Sequence, residues 1–239
     1  MSKPDRSHFI IRWNSVFSQP DYFIRKGLYK SVRSLAPLMK GRLLDFGCGA
    51  KPYKSLFTNT SEYIGVDIEV SGHDHKDENI DVYYDGKILP FADGSFDNVF
   101  ATEVFEHIFN IDEVIPEIHR VLKTGGQLLI TCPFVCPEHE KPYDYARYTS
   151  FGIRHLLEKH GFEVREQLKT GNYIEAAAQV RMYFINYFLP KDPYFLYLFF
   201  FQLFLLPIIV STSIFNAILP SRVKRDDLYH SNVVLVTKK

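Results

Sequence analysis

Cysteine is scarce in this chain: Cys48, Cys132 and Cys136 are the only three in 239 residues. That is too few for a disulfide framework and suits a reducing compartment. Neither sign of charge is in excess, since Lys+Arg and Asp+Glu both number 28. Without a global basic field to recruit it, nucleic acid is not an expected partner. The opening residues, MSKPDRSHFI, contain no apolar run and no cleavage site, so no secretory signal is expected there. Internal repeats and low-complexity linkers are also lacking. The length suits one domain with an elaboration, large enough to bury a sizeable core. What is abundant is aromatic: 21 Phe and 15 Tyr, crowded towards one C-terminal stretch.

Residues 8–40 read as helices with aromatic anchors at Phe9, Trp13, Phe17, Tyr22 and Phe23, an N-terminal helical cap. Strand and helix signals then alternate. Short apolar runs at 42–46, 62–67, 81–85, 96–101, 126–132, 162–168 and 232–237 read as seven strands. Between the fourth and fifth, Ile111, Val114, Ile115, Ile118 and Leu122 recur at helical spacing. Thr149 or Ser150 caps a further helix closed by Gly161. Such alternation implies a Rossmann-like α/β fold: a seven-stranded, mostly parallel sheet with helices on both faces. Ligands of these sheets bind at the carboxyl ends of the strands. Residues 45–50, Asp67, Asp85 and residues 101–107 lie at such ends.

The turn after the first strand reads Asp45-Phe46-Gly47-Cys48-Gly49-Ala50. Its two glycines let backbone approach a ligand closely. A dinucleotide fingerprint would need glycine at position 52, where Pro52 stands. Asp45 at the mouth of the turn would repel a pyrophosphate but attract a cationic ligand; alternatively it caps a following helix. S-adenosylmethionine (SAM) carries an ammonium and a sulfonium and no phosphate, so the electrostatics favour SAM over NAD. Asp67 falls about twenty residues further on, where a carboxylate accepts ribose hydroxyls in nucleotide-binding sheets. Asp85-Gly86 ends the third strand, placed to reach an adenine, although a lone Asp after a strand is usually a turn residue.

The segments LLDFGCGAKPY, YIGVDI, LPFADGSFDNVFATEVFEHI and EIHRVLKTGGQLLITCPF resemble the successive motifs of class I SAM-dependent methyltransferases of the type 11-like kind. The likeness covers roughly residues 40–170 and the last strand. It extends to an H-x-x-P-x-D-Y-x-R-Y-T segment running from His139 to Thr149. The resemblance implies that Asp45, Gly47, Cys48 and Gly49 hold the methionine end of SAM. It places Asp67 and Ile68 at the ribose, Asp85 and Gly86 at the adenine, and Thr102 and Glu103 beside the cofactor. Ala50 stands where many members carry a third glycine. The family acts on very many acceptors, so the likeness does not supply the substrate.

Methyl transfer needs alignment and, for a hydroxyl acceptor, a base. His107 follows the fourth strand near the expected methyl position and is the candidate base, or else a packing residue of the cofactor site. His139, Asp144, Tyr145 and Arg147 follow the fifth strand and form a candidate acceptor wall; Asp144 and Arg147 could equally form a local ion pair. Cys132, Cys136, His139 and His119 lack a second ligand pair at zinc spacing, and no metal is expected. The His- and Asp-containing run at 73–78 reads as a solvated loop.

Residues 193–220 contain no charge at all. That exceeds the roughly 20 apolar residues that span a bilayer. One crossing would leave the last strand on the wrong side, and Pro207 sits near the middle, where it breaks a helix. The expectation is therefore a hairpin of two helices over 194–219, each roughly 18 Å long, dipping into the cytoplasmic leaflet. Arg181, Lys191, Arg222, Lys224 and Arg225 flank it, as anionic lipid would favour. A buried hairpin or a dimer interface is the soluble alternative. The expected organisation is a cap (1–40), a SAM-binding domain (41–171 and 229–239) and a hydrophobic insert (172–228). The expected activity is O-methylation of an amphiphilic or lipid-linked acceptor, sugar or quinone-like, at the membrane face. A soluble enzyme acting on a sugar or small acid, an NAD-dependent enzyme and a non-catalytic SAM-binding protein are the competing readings.

Overall fold

The computed structural model describes residues 9–69 and 79–239; the run at 73–78 lies outside the described residues. Seven strands form one sheet: β1 (Gly41–Phe46), β2 (Thr60–Ile68), β3 (Val82–Tyr84), β4 (Phe96–Thr102), β5 (Leu122–Pro133), β6 (Phe162–Lys169) and β7 (Ser231–Lys238). Their order is β3-β2-β1-β4-β5-β7-β6. The pairs from β3 through β5 are parallel, and β7 enters antiparallel between β5 and β6. The strand order reverses between β1 and β4, and in such sheets ligands bind at the carboxyl ends of the strands at this point.

Side-chain alternation sorts the strands onto two cores. Leu44, Val99, Leu128, Ile130 and Val234 face α2 (Ile111–Val121) and α3 (Ser150–Lys159). Leu43, Phe100, Leu129, Val233 and Leu235 face α1 (Tyr22–Leu35). The α1 residues Leu28 and Val32 are buried there, so this N-terminal helix covers the sheet itself. Thr149 caps α3 by accepting from the Gly152 amide at 3.0 Å, which fixes the start that a Ser/Thr cap predicts.

The insert departs from expectation. Residues 194–219 do not form two helices: α5 is one helix, Tyr194–Ile218, with Pro207 inside it. At 25 residues it is about 37 Å long. It packs antiparallel along α4 (Tyr173–Phe188), with Tyr197 Oη donating to Asn186 at 3.2 Å near one end and Asn172 donating to Asn216 at 2.8 Å near the other. Tyr197, Phe201, Leu205 and Ile209 are its buried residues, against Met182 and Phe23. That four-residue stripe straddles Pro207, so docking holds both halves in line despite the missing amide. Each buried side chain contributes about 1.5–3 kcal/mol, comparable to the roughly 3 kcal/mol penalty of an interior proline.

The root of the α4–α5 pair is polar. Glu175 is buried and accepts from Lys26 at 3.1 Å and Asn216 at 3.3 Å. His230, in the approach to β7, is buried beside Gly171 close to Glu175. Burial lowers its pKa from 6.5 to about 4, only partly offset by Glu175. A histidine protonated more readily unfolded than folded destabilises the fold as pH falls through its unfolded pKa. Between pH 7 and pH 4.5 this group should cost about 2–3 kcal/mol of stability. Urea denaturation at the two pH values should show that loss, and His230→Gln should flatten it; an unchanged slope in the variant would exclude His230 as the cause.

Candidate active site

The glycine turn is a tight wrap over β2. The amides of Gly47 and Cys48 donate to the Val66 carbonyl at 2.9 and 3.2 Å, and the Gly49 amide donates to Asp67 Oδ2 at 2.8 Å. Gly47 has φ +66, and a Cβ there would sit 2.5 Å from Val104 Cγ2, so only glycine fits. Gly65 of β2 supports the turn from below: a Cβ on it would lie 2.2 Å from Lys51 Cε. Buried Lys51 reaches Asp81 at 2.5 Å, and Asp81 also accepts the Gly65 amide at 2.7 Å. Sequence reading missed Lys51, Gly65 and Asp81, because their roles arise only when the turn folds back across β2.

Asp45 is buried at the end of β1. No α-helix follows it before β2, only the short turn Lys54–Leu56, so a helix-capping role is excluded. Tyr63 Oη donates to Asp45 Oδ2 at 2.5 Å, while Oδ1 has no hydrogen-bond partner. Burial raises the carboxyl pKa to about 8, against the opposing hydrogen bond from Tyr63. A buried carboxylate oxygen lacking a donor suits a cationic ligand group such as the SAM ammonium. Asp67 is likewise buried, and its Oδ1 accepts the Ile68 amide at 2.8 Å. Asp67 therefore ties the glycine turn to β2.

Asp85 differs: it is exposed, and its Oδ1 accepts the amides of Lys87 and Ile88 at 2.9 and 2.8 Å. It is the turn residue that a lone Asp after a strand usually is, with Gly86 at φ +79 beside it. Glu103, which follows β4, sits at φ +52, a strained conformation for a side-chain-bearing residue. Its amide donates to the Thr131 carbonyl at 3.1 Å, and its carboxylate accepts from Thr131 Oγ1 at 2.8 Å and Ser231 Oγ at 3.4 Å. Thr102 Oγ1 lies 3.0 Å from Thr131 Oγ1. Thr131 and Ser231 come from the neighbouring strands, and the sequence offers no local signal for them.

Beyond β4 the chain turns through Phe105–His107. His107 Nδ1 donates to the Tyr143 carbonyl at 2.8 Å, so the other ring nitrogen is the basic one. His139 is brought alongside, its ring centroid 4.7 Å from that of His107. Asp144 and Arg147 form the local ion pair that their spacing allows: Arg147 donates two hydrogen bonds to Asp144, at 2.5 and 2.7 Å. This pairing lowers the Asp144 pKa to about 2. Arg147 also donates to the carbonyls of Ala146 and Pro137, and Asp144 accepts the His139 amide at 2.9 Å. The two charges clamp the loop that carries His139. Tyr145 is exposed with its ring 5.3 Å from Phe109, and its amide donates to the Glu106 carbonyl at 2.8 Å. Glu106, to which the sequence reading gave no role, is fully buried next to the two histidines, and burial together with Glu103 holds its carboxyl well above the usual range.

Residues 44–130 match the family model described as methyltransferase domain, and the reversal point of the sheet, the glycine wrap and the carboxylates at the ends of β1 and β2 are consistent with the SAM-dependent methyltransferase class. An O-methyltransferase of Penicillium expansum is 25% identical over 157 residues, 54% of this chain and 55% of the relative. A ubiquinone/menaquinone biosynthesis C-methyltransferase of Pseudoalteromonas translucida is 32% identical over 109 residues, 44% and 40% of the two chains. The match thus spans about half the length of these relatives. Among solved structures, phosphoethanolamine N-methyltransferase 2 of Haemonchus contortus in complex with SAM has the same fold (TM-score 0.52, 20% identity, 99% of this chain and 60% of that one). SAM is the cofactor of this domain class, and the orphan oxygen of Asp45 and the cradle at Gly47 fit it. The three relatives are named for O-, C- and N-methylation, so likeness does not choose the atom.

Proposed function

We propose that the protein transfers the SAM methyl group to a hydroxyl of an amphiphilic or lipid-linked acceptor, sugar or quinone-like, at the cytoplasmic membrane face. The observation that carries this reading is the exposed apolar platform of α4 and α5. Phe195, Phe199, Leu203, Ile214, Phe215 and Ile218 of α5 are all more than half exposed. Phe184, Tyr187 and Phe188 of α4 add 67%, 81% and 68% exposed rings. Contiguous exposed apolar surface of this extent marks an interaction site. Arg181, Lys191, Arg222 and Arg225 are exposed around it, which favours an anionic bilayer surface. Because α5 lies along the whole of α4, which carries Glu175 and Arg181, a spanning orientation would drag charge through lipid; lying flat in the interface does not. Tyr183 of α4 lies close to Cys136, which sets α4 near the loop bearing His139.

SAM supplies the electrophilic methyl carbon when bound. Asp45 and the glycine wrap orient the methionine end, Asp67 the ribose, and Glu103 shapes the wall between cofactor and acceptor. His107, with its Nδ1 hydrogen held by the Tyr143 carbonyl, keeps Nε2 as the lone-pair nitrogen that would take the acceptor proton. The hydroxyl proton passes to that base as the oxygen–methyl bond forms and the carbon–sulfur bond breaks. His107→Ala is expected to lower turnover by about 10²–10⁴-fold with little change in SAM affinity. The assay is transfer from labelled SAM into lipids and glycans fractionated from the host membrane. Label confined to soluble sugars or small acids would refute the lipid-linked acceptor, and undiminished turnover in the variant would refute the base.

A further inference from the structure

We propose that Glu106, His107 and His139 form a binding site for one divalent transition-metal ion. Glu106 is completely buried, and neither of its carboxylate oxygens has a hydrogen-bond partner. Its Oε1 lies 3.6 Å from His107 Nε2 and 3.9 Å from His139 Nε2, too far for hydrogen bonds. One donor atom from each of the three residues lies within 4.8 Å of the others. A metal roughly 2.0–2.2 Å from each donor would hold the donors roughly 3–3.6 Å apart, so a small inward movement closes the site.

The protonation pattern is set from outside. His107 Nδ1 faces the Tyr143 carbonyl at 2.8 Å, and His139 Nδ1 faces the Pro137 carbonyl at 3.2 Å and Asp144 Oδ2 at 3.3 Å. A carbonyl only accepts, so both histidines carry their hydrogen on Nδ1 and aim the Nε2 lone pair at Glu106. Imidazoles that ligate metals are held in this manner, by carbonyl or carboxylate partners on the far nitrogen. The Asp144–Arg147 clamp then has a purpose, since it fixes the His139 ring. Glu140 Oε2, 3.9 Å from His107 Nε2, stands close enough to join the ligands. Two imidazoles and a carboxylate suit Mn²⁺, Fe²⁺, Co²⁺ or Zn²⁺. Three protein donors leave positions open for an acceptor oxygen, where the ion would lower the pKa of a hydroxyl.

The site deepens the proposed function, resting on it for the role of the ion but not for binding. With the ion present, His107 holds metal and the hydroxyl proton leaves to Glu140 or water. The acceptor oxygen takes the methyl carbon, and the carbon–sulfur pair returns to sulfur. The test is titration of the chelator-treated full chain with Co²⁺, followed by visible absorption and calorimetry. One ion per chain is expected, with Glu106→Gln and His139→Ala each weakening it by roughly a hundredfold or more. Exposed His155→Ala should leave it unchanged, and SAM binding retained in every variant would show an intact fold. Absence of Co²⁺ binding in the wild type, or equal binding by the Glu106 and His139 variants, would overturn the site. Normal Co²⁺ binding without transfer to any membrane acceptor would overturn the proposed function and leave the site standing.

Discussion

Asp67→Ala is expected to weaken SAM binding by about 10- to 150-fold, the equivalent of the roughly 1.5–3 kcal/mol carried by hydrogen bonds to a charged group. Two losses combine. A carboxylate at the end of β2 no longer accepts the ribose hydroxyls, and the Gly49 amide loses its partner at 2.8 Å, which frees the turn that must cradle the methionine end. Asp85→Ala serves as the comparison. Its carboxylate is exposed and already accepts two turn amides, so its removal should cost less than about tenfold, within the range of one hydrogen bond. Calorimetry with SAM, S-adenosylhomocysteine and NAD on the three proteins decides the matter. Wild-type SAM affinity in the Asp67 variant, or tighter binding of NAD than of SAM by the native chain, would overturn the assignment of the crevice.

Charge placed on the outer face of α5 is expected to release the protein from membranes. Leu203→Arg with Ile214→Arg alters two residues that are 54% and 58% exposed, so the fold should survive. Each arginine costs roughly 2.5–3.5 kcal/mol at full bilayer depth and less near the surface; together they should lower partition onto anionic vesicles by more than about tenfold. Leu205 and Ile209, at the centre of the same segment, are the wrong positions, because both are buried against α4 and arginine there would unfold the insert. Flotation of the native chain with vesicles, detergent-free, gives the reference. If the native chain stays in solution as a monomer, the platform is not a lipid-binding face. If it pairs with itself and the double variant does not, the face is a dimer interface.

Much of the domain was legible because its signals are local. The strand ends could be read from apolar runs closed by Gly or Asp, and Thr149 was read as a cap because capping is a contact three residues long. Asp45 and Asp67 stood out by chemistry at strand ends. For Asp144 and Arg147 the sequence left open a substrate contact or a local ion pair, and at i, i+3 they pair with each other. Glu106 was invisible as a functional group, since nothing in Glu103-Val104-Phe105-Glu106-His107 says which acid is buried.

The sequence by itself determined the SAM-binding frame. Short apolar runs, a glycine turn with Pro52 where a dinucleotide fingerprint needs glycine, and carboxylates at strand ends each depend on near neighbours along the chain. It also determined that residues 193–220 must meet something apolar. Only the tertiary structure decided that this stretch is one helix. A uniformly apolar segment has no preferred face, and it is docking against α4 through Tyr197, Phe201, Leu205 and Ile209 that holds it straight through Pro207 and turns the remaining face outward. The tertiary structure likewise decided the meeting of Glu106, His107 and His139. Two of these are adjacent and the third lies 32 positions further along the chain, and the distance between them is set by the loop that the Asp144–Arg147 pair holds at His139.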